Sequence, residues 1–88
     1  MRMNYITFRS VTPAQRGQRA LTQADIFSTL QRTPAPLEQR GCGYCLRLRR
    51  QAAERSIALL RENSIPYSKI YRGQGDDLAE EVHDDLFG

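Results

Sequence analysis

Tyr44-Cys45-Leu46-Arg47-Leu48-Arg49, followed one residue later by Gln51-Ala52-Ala53-Glu54-Arg55-Ser56-Ile57-Ala58-Leu59-Leu60-Arg61-Glu62, decides how the chain is read. The first six residues alternate, the period of a strand covered on one face. Tyr44, Leu46 and Leu48 turn toward a core, and Cys45, Arg47 and Arg49 share the other face. The next twelve change period: Ala53, Ile57 and Leu60, flanked by Ala52 and Leu59, form one apolar stripe of a helix that Asn63-Ser64 ends. A strand feeding a helix then asks for a further strand, and residues 65–72, with Tyr67, Ile70 and Tyr71 and a start set by Pro66, supply it.

The same alternation precedes this unit. Asn4-Tyr5-Ile6-Thr7-Phe8 is rich in β-branched and aromatic residues and predicts a first strand with Ile6 and Phe8 on one face. Thr12 is expected as N-cap and Pro13 as first helical residue of a helix over 13–24. Its inner face is Ala14, Gly17, Ala20, Leu21 and Ala24, small enough for a close approach to a sheet, although glycine in a helix costs about 1 kcal/mol relative to alanine. Residues 26–31 alternate again as a second strand, and residues 33–43 form a polar loop with Pro34 and Pro36. The order β-α-β-β-α-β predicts an α+β fold: a ferredoxin-like sandwich, an antiparallel sheet with two helices on one face. A thioredoxin-like arrangement is the main competitor.

At 88 residues the chain suits one core, assigned to residues 1–73. All 13 Lys and Arg, twelve of them Arg, lie in that part against Asp25, Glu38, Glu54 and Glu62, a net +9; the other six acids lie in residues 74–88, a net −6. The acidic tail is expected to be helical, with Leu78, Val82 and Leu86 on one side, or disordered. No stretch approaches the ~20 apolar residues of a membrane span and the start lacks a signal-peptide core, so a cytoplasmic location without membrane association is expected. Thiols there are kept reduced, which suits reactive cysteines better than a structural disulfide.

The chemistry-bearing stretch is Gly41-Cys42-Gly43-Tyr44-Cys45. Two cysteines and the distant His83 do not make the four ligands of a structural zinc site, so no metal is expected. In an extended strand Cys42 and Cys45 point to opposite faces, so the pair closes only if Gly43 makes a turn. Cys42 is the better nucleophile: Gly41 and Gly43 remove steric cover and leave backbone N–H groups open to an anion. In the expected fold the first helix starts at the same end of the sheet, which puts Thr12 near Cys42 and favours the thiolate. The plain alternative, a small residue in a tight turn and a half-buried strand residue, stands beside this reading.

Tyr5-Ile6-Thr7-Phe8 before a Ser/Thr helix start, Gly41-Cys42-Gly43 before an alternating strand, Leu60-Arg61-Glu62-Asn63 before Ile65, and Lys69-Ile70-Tyr71 occur here in fixed order. Over residues 4–72 the chain resembles the putative Se/S carrier protein-like family, small bacterial domains of unknown function. The resemblance implies a cysteine, matched by Cys42, that holds sulfur or selenium as a persulfide or selenopersulfide. It implies donor and acceptor proteins as partners, no cofactor, and an accessory role rather than a stand-alone enzyme. Arg40, or Arg47 and Arg49, could stabilise the anionic persulfide. Cys45 departs from the family, which carries a small or apolar residue there; it could be a resolving thiol or a neutral variant. Ser64 stands where the family has glycine.

The rival is a non-catalytic protein- or RNA-binding module using the open sheet face, with Tyr5, Tyr67, Tyr71 and Phe27 as a stacking platform. The third strand lacks an RNP-type aromatic signature and the acidic tail competes with phosphate, so nucleic acid is not the expected partner. Cover of that face by the tail, or by a second subunit in a homodimer, is the expected alternative.

Overall fold

The computed structural model describes residues 3–33, 43–74 and 77–82. Strand β1 (Met3–Phe8) leads to helix α1 (Val11–Gln23) and strand β2 (Thr29–Arg32). Strand β3 (Tyr44–Arg49) passes through a 3-10 turn (Arg50–Ala52) into helix α2 (Ala53–Glu62), and strands β4 (Ile70–Gln74) and β5 (Asp77–Val82) follow. The strands form one sheet in the order β2-β3-β1-β4-β5. Every neighbouring pair is antiparallel, so β1 and β2 run parallel across β3, and β3 and β4 run parallel across β1. The expected mixed α+β architecture, an antiparallel sheet with two helices, is present.

Both helices cover the same face. Ile6, Phe8, Leu46, Leu48 and Ile70 from the sheet pack with Ala14 and Leu21 of α1 and Ala53, Ile57 and Leu60 of α2. The register sets Ile6 opposite Leu46 and Ile70, so the alternating apolar positions of three strands coincide in one layer. Gly17 is the point of closest approach. A Cβ there would lie 3.1 Å from Leu60 Cδ2, 3.2 Å from Leu46 Cδ1 and 3.3 Å from Phe8 Cζ, so the missing side chain is what lets α1 settle between the sheet and α2.

Both helices end in Schellman closures. After α1, the Ile26 N–H donates to Leu21 O (2.8 Å) and the Asp25 N–H to Thr22 O (3.0 Å). After α2, the Ile65 N–H donates to Leu60 O (2.9 Å) and the Ser64 N–H to Arg61 O (3.1 Å). The residue in the left-handed region is Asp25 (φ 62°) in one and Ser64 (φ 55°) in the other, neither of them glycine.

These closures correct two expected strand starts. Ile26 and Ile65 are consumed by the helix-ending motifs and pack into the core, so β2 begins at Thr29 rather than 26 and β4 at Ile70 rather than 65. The helix start is corrected too: α1 begins at Val11, and Ser10 (φ −144°, ψ 170°), not Thr12, is the N-cap. Pro13 is tolerated in the third position because the first four helical N–H groups have no intrahelical acceptor. Thr12 is exposed in the first turn.

On the second face the expectation of an exposed tyrosine platform fails. Tyr5 (2% exposed) and Tyr71 (4%) are buried together with Cys45 and Met3, while Tyr67 packs against the helix-side core. Phe27 is exposed but precedes β2 rather than lying in the sheet. Arg47 and Arg49 are the exposed positions of β3 on this face. Within the tail, residues 77–82 are extended, not helical: β5 pairs with β4, Ile70 opposite Val82 and Arg72 opposite Glu80, with an irregularity between Arg72 and Gln74. An unpaired edge offers a row of backbone partners, and this outweighs a helical apolar spacing in so short a segment. Residues 34–42, 75–76 and 83–88, with Pro34, Pro36, His83 and Leu86, lie outside the described residues.

Two substitutions test this packing with opposite signs. Ser64→Gly relieves a left-handed non-glycine residue and is expected to raise the unfolding free energy by about 0.5–1 kcal/mol. Gly17→Ala gains helix propensity but overpacks three buried side chains, and a net loss of about 1 kcal/mol is expected. Urea unfolding of both variants at one pH reads the two effects.

Candidate functional site

The end of the sheet where β1 finishes is the end where β3 begins. Phe8 stands opposite Tyr44, and Tyr44 opposite Arg32, so the last residue of β2 and the first of β3 meet there. The ladder continues one step further, with the Thr33 N–H donating to Gly43 O at 3.0 Å. Helix α1 starts at this same end, two residues after β1, as expected from the order of elements. The first turn of α1 contains no acidic residue, so its N-terminal positive charge is not offset within that turn.

Cys42, Gly41 and Arg40 lie outside the described residues. Cys42 is the residue bonded to Gly43, which precedes β3. Gly43 is in open surroundings: a Cβ built on it would meet nothing within 4 Å. Its φ is not in the left-handed region, so no turn that only glycine allows is present at Gly43. Arg32 is the cation that reading the sequence missed. Its guanidinium carbon sits 5.5 Å from the centroid of the Tyr44 ring, beside the step from Gly43 into β3. The signal was available, because pairing the end of one alternating segment with the start of the next places Arg32 opposite Tyr44.

Two of the arginines proposed from sequence lie along β3, away from Gly43. At ~3.3 Å per strand residue, Arg47 lies about 13 Å and Arg49 about 20 Å beyond Gly43. Arg49 is opposite Met3, at the far end of β1.

Cys45 is a free thiol on the second face of the sheet. It is fully buried among Tyr5, Tyr71 and Met3. Burial pushes its pKa from 9.0 up to about 11, and the neighbouring Thr33 and Gln31 side chains offset only part of that rise. A thiol in this state is a poor nucleophile, and a resolving role would require the second cluster to open. Among the described residues no group of three or more His, Cys, Asp and Glu side chains could hold a metal, and no helix is long and apolar enough to cross a membrane.

An antiparallel sheet backed by two helices, with Cys42 preceding Gly43 in sequence just before β3, defines a small α+β domain with a cysteine next to a strand start. The chain belongs to the family described as "Putative Se/S carrier protein-like", which it matches over residues 3–72. No curated protein and no solved structure matches it.

The buried thiol makes stability pH-dependent. A group whose pKa is higher in the folded state contributes fully below the unfolded value and loses that contribution as pH rises through the folded one, here between about 9 and about 11. Cys45→Ala is expected to cost about 1 kcal/mol near pH 7 through lost packing. Its deficit against wild type should shrink as unfolding is measured from pH 8 to pH 11.

Proposed function

We propose that this protein carries sulfur or selenium on Cys42, as a persulfide or selenopersulfide, between a donor and an acceptor protein. The observation that carries the reading is the family match over residues 3–72, which includes the strand that Cys42 and Gly43 lead into. Three features support it: open space at Gly43, the Arg32 guanidinium at the adjoining strand end, and the start of α1 at the same end of the sheet. Each favours an anionic, accessible sulfur, which is the form that attacks and is attacked in sulfane transfer.

The transfer is redox-neutral. The Cys42 thiolate attacks the terminal sulfur of a donor persulfide, the donor's S–S bond breaks, and the donor cysteine leaves as a thiolate. Delivery repeats the step with an acceptor nucleophile and returns Cys42 to a thiolate. The selenium version differs only in the terminal atom. Gly41, Gly43, Arg40 and Thr12 form the surroundings of the carried group, and Cys45 is a packing residue. No cofactor takes part. The strand order β2-β3-β1-β4 with both helices on one face fits a ferredoxin-like split β-α-β arrangement of residues 1–73, a rigid base for such a loop. A cytoplasmic setting suits a thiol that must stay reduced between cycles.

Intact-protein mass tests the reading after incubation with a cysteine desulfurase and cysteine, and in parallel with selenocysteine lyase and selenocysteine. Wild type and Cys45→Ala should gain one sulfur or selenium atom, removable by dithiothreitol, and Cys42→Ser should gain none. Loading that persists in Cys42→Ser contradicts the assignment.

A further inference from the structure

The two edges of the sheet, β2 and β5, are unlike. β5 carries Asp77, Glu80 and Glu81, and like charges along an edge oppose its pairing with a second copy of itself. β2 has none of the usual guards. Thr29-Leu30-Gln31 contains neither a charge nor a proline, its pairing with β3 is regular, and only the terminal Arg32 is charged. Two residues ahead of β2 lies Phe27, which at 81% is the exposed large apolar side chain among the described residues.

One bond fixes how the backbone of β2 is turned. The Thr33 N–H donates to Gly43 O, so by the alternation of an antiparallel ladder Gln31 and Thr29 face β3 as well. Leu30 and Arg32 therefore direct their N–H and C=O groups to the outer side, and among the described residues no strand lies there. Charge adds a direction. Asp25 is exposed just ahead of the strand and Arg32 is exposed at its end. An antiparallel neighbour of identical sequence sets each acidic end beside the other's basic end, whereas a parallel one sets like charges together. A guanidinium has several N–H donors, so this pairing does not compete with the contact of Arg32 on Tyr44.

We propose that the β2 edge docks a second copy of this chain: two β2 strands pair antiparallel about a two-fold axis, Leu30 opposite Leu30, and join two sheets into one. An axis normal to the sheet keeps both helix layers on one side, so residues that face the same way must stand opposite each other. Leu30 meets that condition and offers outward backbone groups. Phe27 of each copy then lies beside the end of the other's β2, where Arg32 and Tyr44 sit, and supplies an apolar anchor. Gly43 leads into β3 at that same end, so the second copy borders the candidate site. Each phenylalanine has ~150–250 Å² to bury, and with the two strand edges the contact comes near the ~1,000 Å² lower limit of specific interfaces. The dimer is accordingly a reversible one. Its formation does not depend on the carrier reading.

Sedimentation velocity of the full chain over roughly a hundredfold range of concentration tests this. The mass should rise from 10.1 kDa toward twice that value. Phe27→Ser and Arg32→Pro should each weaken association by about tenfold or more. The first deletes the anchor, and the second deletes an outward N–H and a charge without breaking the ladder to β3. Arg55→Ser, at an exposed position of α2, should associate as wild type does. Native amide spectra of the variants exclude misfolding. Hydrogen exchange locates the contact, because the Leu30 amide should gain protection as concentration rises. The proposal is overturned if the chain stays monomeric throughout, or if association survives both Phe27→Ser and Arg32→Pro, which assigns it to another surface. It is overturned equally if the Leu30 amide is protected at every concentration, since the chain's own residues then fill the edge.

Discussion

The rest of the structure depends on the missing side chain at Gly17. Three buried side chains from three elements, Phe8, Leu46 and Leu60, converge to within 3.1–3.3 Å of where a Cβ would be. Helix α1 can therefore lie close on the sheet while α2 packs beside it, and one small layer of Ile, Leu, Phe and Ala serves the whole domain. That closeness also positions the functional end. Because α1 is held over β1 and β3, its start lies at the end of the sheet where β3 begins, and the residues around Gly43 inherit that geometry.

The environment of Cys45 is set by the second face of the sheet. Cys45 points into the second, smaller cluster, where desolvation favours the neutral thiol. Cys42 is bonded to Gly43, whose surroundings are open and whose neighbours include Arg32 over the Tyr44 ring. The CxxC pattern is in this sense misleading. It looks like a dithiol, but its second member is built into the sheet as a packing residue.

Much of this was legible in the sequence, and the losses have physical causes. Strand β3 was read to the residue because Tyr44 to Arg49 alternate without interruption, and α2 was clear because Ala53, Ile57 and Leu60 keep a helical period. The starts of β2 and β4 were displaced because Ile26 and Ile65 look like strand residues. In the structure each closes a helix by backbone bonds across a left-handed Asp or Ser, which local composition does not announce. Residues 77–82 were misread because their strand exists only by pairing with β4, a tertiary cause absent from the local pattern. At the site, Cys42 was proposed through its glycine neighbours. Arg32 was missed because register, not sequence proximity, brings it to that end.

The central claim is that one thiol, Cys42, is activated and the other is not. The rate of alkylation by iodoacetamide, followed against pH with the labelled residue identified by peptide mass, measures this directly. Alkylation at Cys42 with a midpoint below the ~8.5 of a free thiol, and none at Cys45 while the protein stays folded, is the expected result. A Cys42 midpoint at or above that value, or labelling of Cys45 at a comparable rate in the folded protein, would contradict it.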